Sequence, residues 1–397
     1  MVKGKEKPNA VDAEARRKML NKLAGGKVAF NLMEESPSDV KYWIRTGSTW
    51  LDAIIARGQM AGIPGGRITE FAGLQSVGKS YMALQIAANA QKDLGMTVVY
   101  ADPEGGIDPQ FMLDAGVDLE EIIYIQPPDL ETWYEMIEGM LNTRSDDEKF
   151  LFILDSLASL PSKSDNEGDY NPNSSVGVTA RIQSKALKKL TMPLQQAEST
   201  YVILNQLKTN ITGLASIPNA KYATDSQRYI APGGKAAEFH CSVRIWLTGS
   251  QSKKLIVLDD NGFRVGSYVK ARMEKSRFGS QGRICEFKIL WGDRVGVMDE
   301  ESILEAIKGA DEVTLGSWNK LVTPAKTWKW QKDGFVKNMK TDPEFKKTVM
   351  DILMRDVVLA FEQKTGNAND FYDKTPEDLK EEDRLKREAV ATEKDKD

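Results

Sequence analysis

Three stretches of the chain read as strands buried on both faces, because their apolar residues run without interruption. "FLFIL" (150–154) opens the longest run, which closes on Asp155. Thr97–Ala101 and "TYVILN" (200–205) repeat the pattern, and each is followed by polar residues. Residues 81–95, "YMALQIAANAQKDLG", instead place Met82, Leu84, Ile86 and Ala87 in a helical apolar pattern, with Gly95 set to end the helix. Strands and helices in alternation predict an α/β fold with a mostly parallel sheet. Two stretches follow neither period: 161–179 and 209–234. Aperiodic runs of that length inside a domain are usually functional or mobile.

The first helix is preceded by "GLQSVGKS" (73–80), which matches G-x-x-x-x-G-K-[ST]. A short β-capable stretch, Ile68–Phe71, leads into it, so the order is strand, glycine loop, helix. That order builds a phosphate cradle. Gly73 and Gly78 let the backbone turn its N–H groups inward over Leu74, Gln75, Ser76 and Val77, and the helix N-terminus adds positive potential. Lys79 reaches the β- and γ-phosphates, Ser80 is a Mg²⁺ ligand, and Tyr81 follows on the helix. Nucleotide hydrolysis also needs a carboxylate for the metal and another for the water. Asp155, at the end of its apolar run, takes the first role and Glu104, just beyond the 97–101 strand, the second. The 200–208 strand carries the polar pair Asn205 and Gln206 at its tip, where an amide can sense the γ-phosphate.

Composition narrows the class. With 41% hydrophobic and 28% charged residues, 397 residues suit a soluble protein with one large core and a smaller second one. No apolar run is long enough for a membrane span, and the N-terminus lacks a signal-peptide core. Two cysteines, Cys241 and Cys285, form no framework or metal spacing and suit a reducing, cytoplasmic compartment. One histidine, His240, leaves no material for a multi-His centre. The net charge of −4 allows nucleic-acid binding only through a local patch.

The motifs "RTGSTWLDAIIARGQMAGIPGGRITEFAGLQSVGKS", "YADPEGGIDPQFMLDAGVD", "LFILDSLASL", "GVTARIQSKALKKL", "YVILNQLK" and "APGGKAAEFHCSVRIWL" follow one another over Thr46–Gly292. In that order they resemble the RecA/UvsX recombinases, and the long charged C-terminal part is most similar to a phage UvsX-type protein. The resemblance implies a P-loop RecA-like ATPase core. It implies helical filaments on single-stranded DNA, pairing with homologous duplex, and strand exchange driven by ATP and Mg²⁺ with single-strand-binding and loader proteins. It also implies residue roles: Glu104 activates water, Phe111 stacks on adenine with Asp108 near the base's amino group, and Gln206 is the γ-phosphate sensor. Lys275 and Arg277 reach the neighbouring subunit's ATP, and Phe239 carries the signal across that interface. Glu238 stands where bacterial RecA has lysine. A ring helicase on the same ATPase fold and a non-catalytic paralogue are the alternatives.

The aperiodic stretches read as DNA loops. Residues 207–235 hold Lys208, Lys221, Arg228 and Lys235 against the single acid Asp225, interleaved with Tyr222 and Tyr229. Charge beside stacking surfaces suits single-stranded DNA. Gly233 and Gly234 close that loop. The first loop carries Asp165, Glu167 and Asp169, so its DNA-facing part is Ser174, Ser175, Val176 and Gly177. The following helix presents Arg181, Lys185, Lys188 and Lys189 as a basic stripe, with Ser184 beside it.

These features divide the chain into an N-terminal oligomerisation arm (1–33), the ATPase core (34–295), a small C-terminal domain (296–370) and a charged tail (371–397). In the arm, "ARRKMLNKL" is a short amphipathic helix. "KVAFNLM" is a strand whose Val28, Phe30 and Leu32 need a partner, which assigns it to filament assembly. Trp318, Trp328 and Trp330 read as core of the C-terminal domain.

Overall fold

The computed structural model describes residues 10–358, apart from 35, 168–176, 211–223, 234, 250–255, 292–294 and 332. These fall into two compact units, divided between Ala306 and Ile307, with Arg57–Met60 belonging to the second.

The first unit is built on a ten-stranded sheet: β1 (Ile68–Gly73), β2 (Thr97–Ala101), β3 (Ile122–Ile125), β4 (Phe150–Leu154), β5 (Thr200–Gln206), β6 (Val243–Thr248), β7 (Ile256–Leu258), β8 (Arg264–Ser276), β9 (Ile284–Trp291) and β10 (Val295–Val297). Across the sheet the order is β10-β9-β8-β6-β1-β5-β4-β2-β3, with β7 on the side of β8. Neighbours from β6 to β3 run parallel. Those from β6 to β10 run antiparallel. The apolar runs of the sequence are the parallel strands: all five residues of β4 and six of seven in β5 are buried. β1 lies between β5 and β6. From β1 the chain crosses to β2 and β3 at the far edge, returns through β4 and β5, and then passes β1 to β6; the crevice beyond the carboxyl ends of the strands is where such sheets bind ligands.

Helix α1 (Ala10–Ala24) precedes the sheet. Helices α2 (Lys79–Leu94), α3 (Pro109–Asp114), α4 (Leu130–Thr143) and α5 (Val178–Gln196) alternate with the parallel strands along the chain. α2 ends as its glycine predicts: Gly95 has φ +59°, and its N–H and that of Met96 bond the Gln91 and Ala90 carbonyls. α4 starts on Asp129, whose carboxylate accepts from Thr132 N–H at 2.7 Å. Trp133 of α4 packs on Phe152 and Tyr201, and its indole N–H donates to the Tyr201 hydroxyl at 2.9 Å.

Two expectations change. In the arm, α1 forms, but residues 27–33 are not a strand. Val28 and Ala29 N–H groups bond the Asn21 side chain at 2.8 and 2.7 Å instead. A strand needs a partner ladder, and none is offered here among the described residues. Val28 and Leu32 remain exposed, and Phe30 is half-buried. Residues 161–179 are not wholly irregular: Lys163–Glu167 forms a helical turn, capped where Asp165 accepts from Ser162 N–H at 2.9 Å.

The second unit packs Trp328 and Trp330 of a three-stranded sheet against Phe335 and Phe345, with ring centroids of Trp330 and Phe335 5.5 and 5.4 Å from that of Phe345. Trp318 is exposed. Among the described residues, no helix is long and apolar enough to cross a membrane.

Candidate nucleotide site and neighbouring loops

The glycine loop joins β1 to α2 and is held by two close approaches. Gly78 has φ +99°, and a Cβ there would lie 2.7 Å from Ile289 Cδ1 of β9. A Cβ on Gly73 would meet the Leu247 carbonyl of β6 at 2.9 Å. At Gly73 a side chain would press on the β6 backbone, while at Gly78 it is the positive φ that favours glycine. Lys79 is buried under the loop, its Nζ donating to the carbonyls of Leu74 at 2.8 Å and Gly73 at 3.3 Å. Burial lowers its pKa against the opposing pull of Asp155 and Glu104. A desolvated ammonium at a helix N-terminus, bonded to neutral carbonyls, favours an anion.

A cavity of about 250 Å³ opens over this loop, lined by Ser76–Tyr81, Phe111, Ile289 and Trp291. Phe111 comes from α3, and its ring lies 6.0 Å from that of Tyr81. Asp108 caps α3, accepting from Gln110 N–H at 2.9 Å, and does not line the cavity. Ile289 and Trp291 complete the apolar wall from more than 200 residues away in the chain. Nothing local in the sequence marks them beyond the alternation of a strand.

Two carboxylates meet beside the loop. Asp155 follows β4, with its N–H bonded to the Ala101 carbonyl at 2.9 Å. Its side chain accepts from the Tyr100 hydroxyl at 2.8 Å and from Ser80, and burial raises its pKa. This donor set fits a divalent cation: a buried carboxylate and a hydroxyl, with phosphate and water oxygens completing a hard oxygen shell. Among the described residues no cluster of three or more His, Cys, Asp or Glu offers another metal site. Glu104 is exposed and accepts from the Ser159 hydroxyl. The loop that carries it folds around Asp102, which accepts from the N–H groups of Glu104 and Gly105 at 3.0 and 2.9 Å.

Gln206 is the register partner of Gly73, so the end of β5 lies directly beside the start of the glycine loop. Below it is a buried polar group that the sequence did not reveal. Asn205 donates to Glu70 at 3.0 Å and to the Pro232 carbonyl at 2.9 Å. Arg244 donates to the second oxygen of Glu70 at 2.6 Å. The network joins β1, β5 and β6 to the closing end of the second aperiodic stretch.

The model of the RecA N-terminal domain family matches residues 13–296. The chain belongs to the RecA family. Protein RecA of Streptomyces avermitilis is 31% identical over 280 residues, 70% of this chain and 68% of that protein. Protein RecA of a Sulfurovum species is 34% identical over 257 residues, 65% and 68% of the two chains. For an Arthrobacter species the identity is 30% over 305 residues, 77% and 79%.

In this RecA-family chain Lys275 and Arg277, at the end of β8, both turn onto the C-terminus of a short helix, Ala236–His240. Lys275 donates to the Glu238 and Phe239 carbonyls, and Arg277 donates to the Phe239 carbonyl at 3.2 Å. The pair therefore shares a carbonyl within the chain, at the negative end of a helix. Phe239 itself is exposed.

Of the residues assigned to DNA, Ser174, Ser175, Val176, Lys221 and Gly234 lie outside the described residues. Gly177, with φ +78°, begins α5, along which Arg181, Ser184, Lys185 and Lys188 are exposed. Lys189 is instead paired with Glu138 at 2.6 Å, which takes it out of the basic stripe. Lys208 pairs across Lys208–Thr209 with Tyr229–Ile230, directly after the helical turn Asp225–Arg228. Gly233 has φ +92°, and Lys235 stands at the start of the next helix. The roots of the second loop are thus ordered as a two-stranded stem rather than irregular.

Proposed function

We propose that this chain is a DNA-dependent ATPase of the recombinase type, which polymerises on single-stranded DNA and exchanges strands with a homologous duplex. Within the family it reads as a phage UvsX-type member, on the charged sequence beyond the core. One observation carries the reading. Lys79, Ser80, Asp155 and Glu104 converge at the carboxyl ends of the parallel strands, while Gln206 stands opposite Gly73 and its neighbour Asn205 is tied to Pro232. Nucleotide chemistry and the base of a DNA loop therefore share two adjacent residues.

In this mechanism the loop N–H groups and Lys79 bind the triphosphate, and Phe111 and Trp291 enclose the base. Asp155 and Ser80 would hold Mg²⁺, which when bound would supply charge neutralisation for phosphoryl transfer. Glu104 takes a proton from the attacking water. Gln206 senses the γ-phosphate, and Asn205 passes its position to the 224–235 segment. The exposed Arg181, Lys185, Lys188, Lys208 and Lys235, with the half-buried Arg228, neutralise DNA phosphates. Across a filament interface, the arm with Val28 and Phe30 docks on the next subunit, and Phe239, Lys275 and Arg277 face the neighbour's ATP. The domain divisions near residues 33, 295 and 370, the cytoplasmic setting and the need for single-strand-binding and loader proteins belong to the same proposal.

ATP turnover with and without single-stranded DNA tests it. Lys79→Ala should lower turnover at least tenfold, and Glu104→Gln should stop it while retaining nucleotide and DNA. Turnover that DNA does not stimulate, or that survives Lys79→Ala, contradicts the reading.

A further inference from the structure

Two phenols support the acidic side of the nucleotide site, one bonded to Asp155 and one to Asp102, and the phosphate-loop motif requires neither. Tyr100 and Tyr124 are register partners on β2 and β3, so their side chains leave the sheet on the same face. Asp102, two residues after Tyr100, shares that face. Tyr100 is wholly buried and donates to Asp155 Oδ2 at 2.8 Å. Tyr124, partly exposed, donates to Asp102 Oδ2 at 2.9 Å.

Asp102 is the pivot of the loop that bears Glu104. Besides the phenol it accepts three backbone N–H groups: Glu104 at 3.0 Å, Gly105 at 2.9 Å and Ile107 at 3.2 Å. Its charge adds to burial in pushing the Asp155 carboxyl up. Tyr100 puts a donor on Asp155 itself, and Tyr124 puts one on Asp102, the acid that holds the Glu104 loop. As neutral phenols, both hydroxyls donate to the carboxylates they touch. Phenylalanine would fill nearly the same volume at either site. The hydroxyls therefore serve the acids rather than the packing.

We propose that Tyr100 and Tyr124 are positioning residues for hydrolysis: Tyr100 fixes the metal-holding carboxylate of Asp155, and Tyr124, through Asp102, fixes the loop that presents Glu104. The proposal rests on the ATPase reading above. It gives Asp155 and the Glu104 loop separate hydrogen-bond supports.

The test uses the full chain and the variants Tyr100→Phe and Tyr124→Phe. Each should lower kcat about tenfold, the scale of one hydrogen bond to a charged group, with the KM for ATP within about twofold of wild type. Two further readouts do not depend on turnover. Amide hydrogen exchange at Glu104, Gly105 and Ile107 should quicken about tenfold in Tyr124→Phe and stay unchanged in Tyr100→Phe. Calorimetric ATP binding with and without Mg²⁺ should show the Mg²⁺-dependent tightening reduced in Tyr100→Phe and retained in Tyr124→Phe. Absence of turnover in the wild-type chain would end the ATPase reading. Active wild type with both variants at its kcat would overturn the positioning roles alone, as would a lower kcat with unchanged exchange and unchanged Mg²⁺ dependence. If Tyr100→Phe does not fold, Tyr124→Phe at its half-open position decides: normal exchange at Glu104 overturns the proposal.

Discussion

Arg244→Met removes the guanidinium that bonds Glu70 at 2.6 Å and leaves that carboxylate inside the sheet, where Glu70 is wholly buried. Removing one partner of a buried ion pair costs about 3–5 kcal/mol, because the other charge stays desolvated. Two features place this site at the lower end. Arg244 keeps slight solvent access, and Glu70 retains its bond from Asn205 at 3.0 Å. The expected loss is about 3 kcal/mol. Glu70→Gln should cost a similar amount, about 3 kcal/mol, since it strips Arg244 of its counter-charge and sets an amide N–H₂ against the Asn205 or the Arg244 donor. Glu70→Leu with Arg244→Met removes both charges and should cost much less than the two single losses together. The chain has two units, so bulk unfolding mixes two transitions. Hydrogen exchange of the β1 and β6 amides under increasing urea reads the relevant unit directly. A loss below about 1 kcal/mol in Arg244→Met, or strict additivity in the double variant, would refute the view that a mutually dependent charge pair holds β1 against β6.

Other expectations follow from single sites. Burial pushes Asp52 up to about 7. The folded state therefore binds a proton that the unfolded state releases near pH 4, and the stability this gives is lost as pH rises from about 4 to about 7. Asp52→Asn should gain on wild type across that window in thermal melts, and a pH-independent difference would refute the shift. Lys185→Ala with Lys188→Ala should make the salt dependence of single-stranded DNA binding shallower by about 0.7 for each phosphate no longer neutralised, and an unchanged slope would remove α5 from the DNA surface. Lys275→Ala mixed with Lys79→Ala should regain part of the ATPase activity if Lys275 serves a neighbour's nucleotide. No recovery in verified mixed filaments would leave Lys275 serving only the helix end at Glu238 and Phe239.

The parallel strands and the phosphate loop were legible because each is written locally. Unbroken apolar runs mark β2, β4 and β5, and Gly78 is dictated by its own φ of +99°. What escaped was set by partners distant in sequence. Trp291 and Ile289 reach the cavity only because β9 folds beside the loop, and no spacing rule links residue 289 to residue 78. Glu70 looks like one acid in a short strand until Arg244 and Asn205 surround it. The 27–33 segment has the composition of a strand but lacks a ladder within the described chain, so composition alone misjudged its conformation. Lys275 stands on the extended segment expected of it, whereas Arg277 lies in the turn just past the end of β8. Their shared carbonyl could not be foreseen without the helix that ends at His240.

Negative-stain electron microscopy of the full chain with single-stranded DNA and a non-hydrolysable ATP analogue in Mg²⁺ tests the proposed function most directly. The nucleotide site, the Asn205–Pro232 link and the exposed basic helix together predict continuous helical filaments along the DNA, formed with the analogue and absent with ADP. Closed rings, or filaments indifferent to the nucleotide, would contradict an ATP-switched recombinase.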